Sequence, residues 1–177
     1  VNENFQMNPG FQFGITAEFP VNSTLSFEPG LLFSTKGAKK HKEDFNVKFS
    51  EKRVLNYLEI PLNVRVYLYQ GNPLVFGLVG PYLGYGLTGR INYEVVREGV
   101  TQTKTTDIKW GSDVAVNDYK RLDFGLSAGV GIEANPFRFG ISYGLGLANI
   151  SPDSGSGEKI HNMVIGFFTC VEFGGNK

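Results

Sequence analysis

The chain has 177 residues, with 17 Lys and Arg against 17 Asp and Glu, so its formal net charge is zero. A neutral chain has no basic surplus for nucleic-acid phosphates, which excludes DNA and RNA as expected partners. No apolar run reaches the roughly 18 residues that a transmembrane helix needs, whereas 23 glycines, 15 phenylalanines and 8 tyrosines favour a fold of many strands.

Seven segments alternate apolar residues with polar or small ones, which is the period-two pattern of a β-strand. In chain order they cover residues 11–20, 24–34, 56–69, 74–92, 121–134, 137–149 and 160–173. Short connections rich in Gly, Pro and Asn follow the first, third and fifth segments. Long polar connections, residues 35–55, 93–120 and 150–159, follow the other three. Because no linker divides this series, we predict one domain over residues 1–177.

The two faces of these segments differ in composition. One face is apolar and uncharged, as the third segment shows with Leu58, Ile60, Leu62, Val64, Val66 and Leu68. The other face carries many glycines together with Glu18, Glu28, Glu59, Arg65, Arg90, Arg121, Asp123, Glu133, Arg138 and Glu172. Strand faces that meet water usually avoid Gly, so this second face suits the crowded interior of a small barrel. We therefore predict an all-β fold, an antiparallel up-and-down transmembrane β-barrel with its apolar face in lipid.

The number of segments is odd, although membrane barrels of this type have an even strand number and both termini in the periplasm. The last segment runs from a long connection to the short-turn end, as it should. The first segment also starts at the long-connection end. We therefore predict an eight-stranded barrel of which about seven strands lie in this chain, with the first strand upstream of residue 1. The alternative is a further strand inside residues 93–120.

Several segments resemble the small outer-membrane β-barrel family that includes the PorT-like proteins. They are "PGFQFGITAEFPVNSTLSFEPGLLFSTKGAK", "LNYLEIPLNVRVYL", "VGPYLGYGLTG", "RLDFGLSAGVGIE" and "ISYGLGLANI". The resemblance covers nearly the whole chain and implies eight strands in the outer membrane of a Gram-negative bacterium. Some PorT-like members are tied to protein secretion, so the resemblance implies a non-enzymatic structural or interaction role, such as an accessory subunit of a secretion-type complex.

The charges of the predicted interior fall into two groups. Glu133 and Arg138 flank the tight "ANPF" turn and, with Glu172, should form a cluster near the periplasmic mouth. Arg90, Arg121 and Asp123 should gather near the outer mouth. Buried charges without partners are costly, so we expect these residues, together with Glu59 and Arg65, to neutralise one another and fill the barrel. The alternative is a polar path for transit.

A lysine cluster, "KGAKKHK", lies in the first long connection. Its cations could bind anionic lipopolysaccharide or a partner protein at the outer surface, or they could simply keep the loop soluble. The residues are Lys36, Lys39, Lys40 and Lys42. Outer-membrane lipid and other outer-membrane proteins are the partners that the pattern predicts.

Two alternative functions stay open at this point. His161 lies near Ser151, Ser154, Ser156 and Asp153 in sequence, so a lipid-modifying outer-membrane hydrolase is one. A soluble, lipocalin-like ligand-binding barrel with its apolar face inward is the other. Cofactors and metals are not predicted: "GYGLTG" continues into a strand pattern rather than a helix, and two histidines with one cysteine are too few for a metal site.

Overall fold

The computed structural model describes residues 2–7, 9–44, 47–97, 99–134, 136–152 and 160–173, and the side chains of all these except 2–7, 42–44, 172 and 173. These residues form ten strands: β1 (Asn2–Met7), β2 (Gly10–Ala17), β3 (Phe19–Pro20), β4 (Leu25–Asp44), β5 (Val47–Tyr69), β6 (Leu74–Arg97), β7 (Val100–Asp107), β8 (Leu122–Ala134), β9 (Phe137–Gly146) and β10 (Met163–Phe173). A helix suited to crossing a bilayer does not occur in the described ranges.

Seven of the strands form a closed ring in the order β4, β2, β10, β9, β8, β6, β5 and back to β4. These seven correspond to the seven segments predicted from the alternation. Neighbouring strands are antiparallel except β2 and β10, which pair in parallel with Phe167 beside Phe11. An odd number of strands that alternate in direction must contain one such parallel pair. The predicted eighth strand would precede residue 1 and stays a prediction.

Three ring strands are much longer than the alternation alone predicted. β4, β5 and β6 have 20, 23 and 24 residues, whereas β8, β9 and β10 have 13, 10 and 11. Beyond the ring, β1 pairs with β4 and β7 pairs with β6. The result is a five-stranded protruding sheet made of β1, β7 and residues 36–44, 47–55 and 89–97. The expectation of a polar loop at 35–55 is therefore wrong for residues 35–44 and 47–55, which pair as β4 and β5. The expected polar connection at 93–120 is likewise wrong for residues 93–97 and 100–107, which pair as β6 and β7.

A β-bulge on β6 reverses which residues point inward. Asn56 of β5 pairs with Thr88, but the next residue, Tyr57, pairs with Gly86, so Leu87 has no partner on β5. Before the bulge, on the side of the short turns, the even-numbered residues of β6 point inward. After the bulge, on the side of the long connections, the odd-numbered residues point inward. A single inserted residue always moves later side chains to the opposite face, since the side-chain period of a strand is two.

The outward face of the ring is apolar, and the inside is packed in layers. Near the short turns, one inner layer consists of Leu32, Leu74, Phe76, Phe168 and Cys170. Near the long connections, a second layer consists of Leu55, Tyr57, Ile91, Ile108, Tyr119, Ala148 and Ile150, and it covers the mouth of the ring. Glycines leave the space for these side chains: a Cβ at Gly140 would meet the Phe168 ring, and one at Gly86 would meet the Trp110 ring.

Candidate functional site

A cluster of five charged side chains fills the ring at its short-turn end, and we call it the lower cluster. Its members, one each from five parts of the ring, are Glu18, Glu28, Arg65, Glu133 and Arg138. Each lies on the inward face because the alternation of its strand, or of the residue after β2, places it there, and all five are buried. Three carboxylates and two guanidinium groups therefore meet out of contact with water.

Arg65 is the centre of the lower cluster. Its Nη1 lies 3.2 Å from Glu18 Oε2 and 3.8 Å from Glu28 Oε2, and its Nη2 donates to Glu133. The guanidinium Cζ also lies 4.3 Å from the centre of the Phe76 ring. A planar guanidinium suits this position because its five donors can serve several carboxylates while its face stacks on an aromatic ring.

Arg138 completes the lower cluster from the opposite wall. It donates to Glu28 and to the Thr16 hydroxyl, and its Cζ lies 5.6 Å from the Phe76 ring centre. Glu133 and Arg138 are register partners across the β8–β9 hairpin. Most of these contacts join strands that are not neighbours, so the lower cluster ties the walls of the ring together across its interior.

A second cluster lies farther toward the long connections, and we call it the upper cluster. Its centre is Lys36, whose Nζ lies 2.5 Å from Glu59 Oε1 and 2.8 Å from Asp123 Oδ2. Neutral donors bind the same carboxylates: Gln12 Nε2 reaches Glu59 at 2.9 Å, and Asn162 Nδ2 reaches Asp123 at 2.8 Å. The ammonium of Lys36 also lies 4.2 Å and 4.9 Å from the ring centres of Tyr82 and Tyr57.

A small cavity separates the two clusters. Its volume is about 50 Å³, and its polar lining includes Gln12, Asn63, Ser127 and Ser142. A space of this size and polarity suits a few water molecules, whereas small-molecule sites usually measure roughly 300–1,000 Å³. The interior is thus filled by ion pairs and packed side chains, as in small barrels whose lumen is occupied by side chains.

Two of the sequence predictions about charged residues are wrong. Lys36 was predicted to lie in a polar outer loop, either as a contact for lipopolysaccharide or a partner or as a solvated charge. Its side chain is only 4% exposed, because β4 continues to Asp44 and its even-numbered face points inward. Arg90 was expected inside the outer mouth, yet its side chain is 71% exposed and pairs with Asp107 at 3.3 Å. The bulge at Leu87 is the reason, since it turns Arg90 to the outward face.

The remaining predicted residues are placed as follows. Arg121 lies at the rim and donates to the carbonyl of Gly86 at 2.9 Å, while Asp123 joins Lys36 in the upper cluster. Lys39 lies on the outward face of the protruding sheet, and Lys40 is the register partner of Glu51. The side chains of Lys42 and Glu172 lie outside the described part of the molecule.

Several polar residues of the site were missed by sequence reasoning: Thr16 and Tyr82 are buried, and Gln12 and Asn162 are half-buried. Gln12, Tyr82 and Asn162 bind the upper cluster, and Thr16 binds the lower one. For Lys36 a signal did exist, because Ser26, Glu28, Leu32, Ser34 and Lys36 continue one parity without interruption. The neutral residues carry no such signal, since Thr, Gln and Asn are equally common on solvated strands.

The serine–histidine arrangement of the hydrolase hypothesis is only partly described. His161 is exposed, and Ser151 is buried. Asp153, Ser154 and Ser156 lie outside the described residues. Within the described ranges, His161 has no hydrogen bond to a serine or a carboxylate, and no group of three His, Cys, Asp or Glu side chains is suited to hold a metal ion.

The comparisons with known proteins identify the family. Residues 1–151 match the family model described as outer membrane protein beta-barrel domain. Searches of curated proteins and of solved structures give no match to this chain. The matched residues include β1 to β9, so the model covers most of the ring and the whole protruding sheet. The chain therefore belongs to the outer membrane protein beta-barrel domain family and is a protein of the bacterial outer membrane.

Proposed function

We propose that this protein is a non-enzymatic, non-conducting component of the outer membrane that binds another protein through its protruding sheet. Short turns of such proteins face the periplasm and long connections face outward, so the protruding sheet stands outside the cell. The lower and upper clusters occupy the interior that a substrate or ion would have to cross. Family membership makes the soluble lipocalin-like alternative wrong.

The observation that carries this proposal is the free edge of β7. All eight residues of this strand, "VTQTKTTD", are exposed, and β7 pairs only with β6 among the described strands. Four of the eight are threonines, which favour extended backbone. An exposed edge strand without proline or a bulge is a template on which an extended segment of another chain can add as a further strand.

The direction of the backbone groups of β7 follows from its register. Ile108 N donates to Gly89 O at 2.9 Å, so this pair is a hydrogen-bonded pair of the ladder. In an antiparallel ladder such pairs alternate with pairs whose N–H and C=O groups point away. Because the register with β6 has no shift, the N–H groups of Thr101, Thr103 and Thr105 point to the free edge.

This geometry gives a matched pair of variants. Thr103→Pro removes one donor from the free edge and leaves the hydrogen bonds to β6 in place, whereas Thr103→Ala removes only the side chain. With a photo-cross-linking residue at Gln102, we expect the same adduct to form in cells with the wild-type backbone and with Thr103→Ala, and to disappear with Thr103→Pro. The amount of adduct is compared among wild type, Thr103→Ala and Thr103→Pro, and heat-dependent gel migration confirms that each protein is folded. Equal amounts of adduct in all three folded proteins would disprove strand addition.

The resemblance to PorT-like proteins supports a more specific role, as an accessory subunit of a secretion-type complex in a Gram-negative outer membrane. In that case the cross-linked partner is another component of the secretion machinery, and Thr103→Pro lowers secretion without lowering the amount of folded protein.

Two further experiments test whether the protein conducts ions and whether it is an enzyme. Planar bilayers should show no single-channel steps, and lipid extracts should be unchanged between wild type and His161→Ala.

A further inference from the structure

A notch interrupts the outer wall where β6 changes partner. Below it, Tyr85 pairs with Leu122 of β8, and above it, Arg90 pairs with Asp107 of β7. Gly86 N donates to Arg121 O at 2.7 Å and Ile108 N donates to Gly89 O at 2.9 Å, so among the described residues of this stretch Leu87, at the bulge, and Thr88 have no backbone partner on this side. The connection 108–121 leaves the wall here, and an open pocket of about 970 Å³ lies at the gap. Bulges that re-aim side chains are common beside functional sites.

The lining of the notch is basic. Arg90, Lys109 and Arg121 contribute three cations, against Asp107 in the lining and Asp118 at the margin, where it accepts from the Lys109 backbone N–H at 2.8 Å. Amide side chains surround the cations: they belong to Asn56, Asn92 and Asn117. In a chain whose net charge is zero, this is a local positive excess that includes two guanidinium groups.

The basic surface continues upward from the notch. Asn92 in the lining is the register partner of Lys52 on β5, and Lys52 is in turn the register partner of Lys39 on β4. Like charges directly opposite each other in an antiparallel pair are destabilising. This face also carries the exposed Glu94, two residues beyond Asn92. With Lys39 and Lys52 beside the cations of the notch, positive charges still outnumber negative ones here, and the surface is complementary to a polyanion.

The depth of the notch in the membrane identifies that polyanion. Tyr85 and Leu122, directly below the notch, are exposed members of the apolar outward face, and Arg121 immediately precedes Leu122. One residue rises about 3.3 Å along a strand, and the headgroup zone is about 5–8 Å thick on each side of the hydrocarbon. The cations at the base of the notch therefore lie at the level of the lipid headgroups.

We propose that the notch binds a phosphate group on the headgroup of an outer-leaflet glycolipid, with Arg90 and Arg121 as its principal ligands. Guanidinium groups bind phosphate oxygens through paired, charge-assisted hydrogen bonds. Among the described residues, the exposed side chain of Arg90 is paired with the solvent-accessible Asp107, so it can turn to a phosphate at little cost. Arg121 is already oriented by the Gly86 carbonyl. This site is independent of strand addition at β7.

The test uses the whole protein, refolded in detergent, and lipid A with and without its phosphates as probes. Arg90→Gln and the double variant Arg90→Gln/Arg121→Gln are compared with Arg97→Gln, a cation at the far tip of β6. Loss of a charge-assisted contact to phosphate should weaken binding of phosphorylated lipid A about tenfold for Arg90→Gln and further for the double variant. Binding of dephosphorylated lipid A should be weak throughout, and Arg97→Gln should stay within about twofold of wild type.

Three outcomes would overturn the site. Arg90→Gln could bind phosphorylated lipid A as tightly as wild type, Arg97→Gln could lose as much affinity, or inorganic phosphate could compete at the same concentration as the lipid. The last result would indicate a site for free anions rather than for a lipid headgroup. Arg90 is exposed, so its single variant keeps the test valid even where the Arg121 substitution disturbs the rim, and heat-dependent gel migration confirms that each variant is folded.

Discussion

The lower and upper clusters bury charge inside the same ring in different ways. In the lower cluster two guanidinium groups share three carboxylates, and both lie within 6 Å of the centre of one phenylalanine ring. In the upper cluster one ammonium serves two carboxylates, which also accept hydrogen bonds from Gln12, Tyr82 and Asn162. Ser26 Oγ also donates to Glu18 in the lower cluster, at 2.6 Å. The lower cluster is thus held mainly by ion pairs, and the upper cluster by one ion-pair centre with three neutral donors.

This difference predicts how much the stability of the protein should fall when either cluster loses a cation. Removing one member of a buried ion pair leaves the other charge desolvated, and this usually costs several kcal/mol. Where neutral donors stay on the carboxylates, part of the lost solvation is already replaced. The lower cluster should therefore be the more fragile of the two, although it contains more ion pairs.

The largest effect should come from Arg65→Met, which removes the centre of the lower cluster. Glu18 and Glu133 would then remain buried beside Glu28, with Arg138 as the one remaining guanidinium of the cluster. We expect the free energy of unfolding, measured by urea titration in lipid vesicles, to fall by about 3–5 kcal/mol. The exposed Arg97→Gln is the control and should change little. A loss below about 1 kcal/mol for Arg65→Met would mean that the lower cluster does not hold the ring together.

Lys36→Met tests the other side of the comparison. We expect a loss of about 2–3 kcal/mol, smaller than for Arg65→Met, because Gln12 and Asn162 continue to donate to Glu59 and Asp123. Adding Asp123→Asn to Lys36→Met should recover part of the loss, since only one carboxylate would then lack its cation. If the two single variants lose equal stability, neutral support does not matter and the distinction between the clusters fails.

Packing between the clusters can be tested with two glycines of β9. A Cβ at Gly140 would collide with the Phe168 ring and the Val130 carbonyl, whereas a Cβ at Gly144, beside the cavity, would meet nothing within 4 Å. Gly140→Ala should therefore cost about 1–3 kcal/mol through overpacking. Gly144→Ala should be neutral or stabilising by up to about 1 kcal/mol, because alanine lowers the entropy of the unfolded chain. Equal effects in the same unfolding assay would contradict the described layers.

The alternation of the sequence was sufficient to predict the outer wall and the order of its elements. Residues such as Leu62 and Phe124 face outward and Glu28 and Arg65 face inward, because a period of two fixes the face as soon as a strand is recognised. The prediction failed at Arg90, because one extra residue at Leu87 leaves no mark in composition. It failed at Lys36, because three further lysines nearby suggested a loop rather than the middle of a long strand.

The partners inside the ring could not be predicted in the same way. Sequence reasoning joined Glu133 to Arg138 because a short turn makes them neighbours. The structure also joins Arg65 to Glu133 with β6 between their strands, and Arg138 to Glu28 with β10 and β2 between theirs. Such contacts depend on the curvature of the closed ring and on which side chains reach across it. Neither is encoded in the local period.

The smallest expected effect on stability belongs to Arg90→Gln. This variant tests whether a charge on the outer surface contributes less to stability than the charges of the two buried clusters. The pair with Asp107 is largely solvated on both sides, with side chains 71% and 86% exposed. Exposed pairs contribute about 0–1 kcal/mol, so the unfolding free energy in lipid-free detergent should change by less than about 0.5 kcal/mol. In vesicles that contain phosphorylated lipid A, the unfolding free energy of Arg90→Gln should fall further below that of wild type than it does in detergent. The reason is that a ligand that binds only the folded state stabilises it, and the variant binds this ligand less tightly. An equal small change in both media would show that Arg90 is an ordinary surface charge, and a large loss in detergent alone would place it among the structural ion pairs.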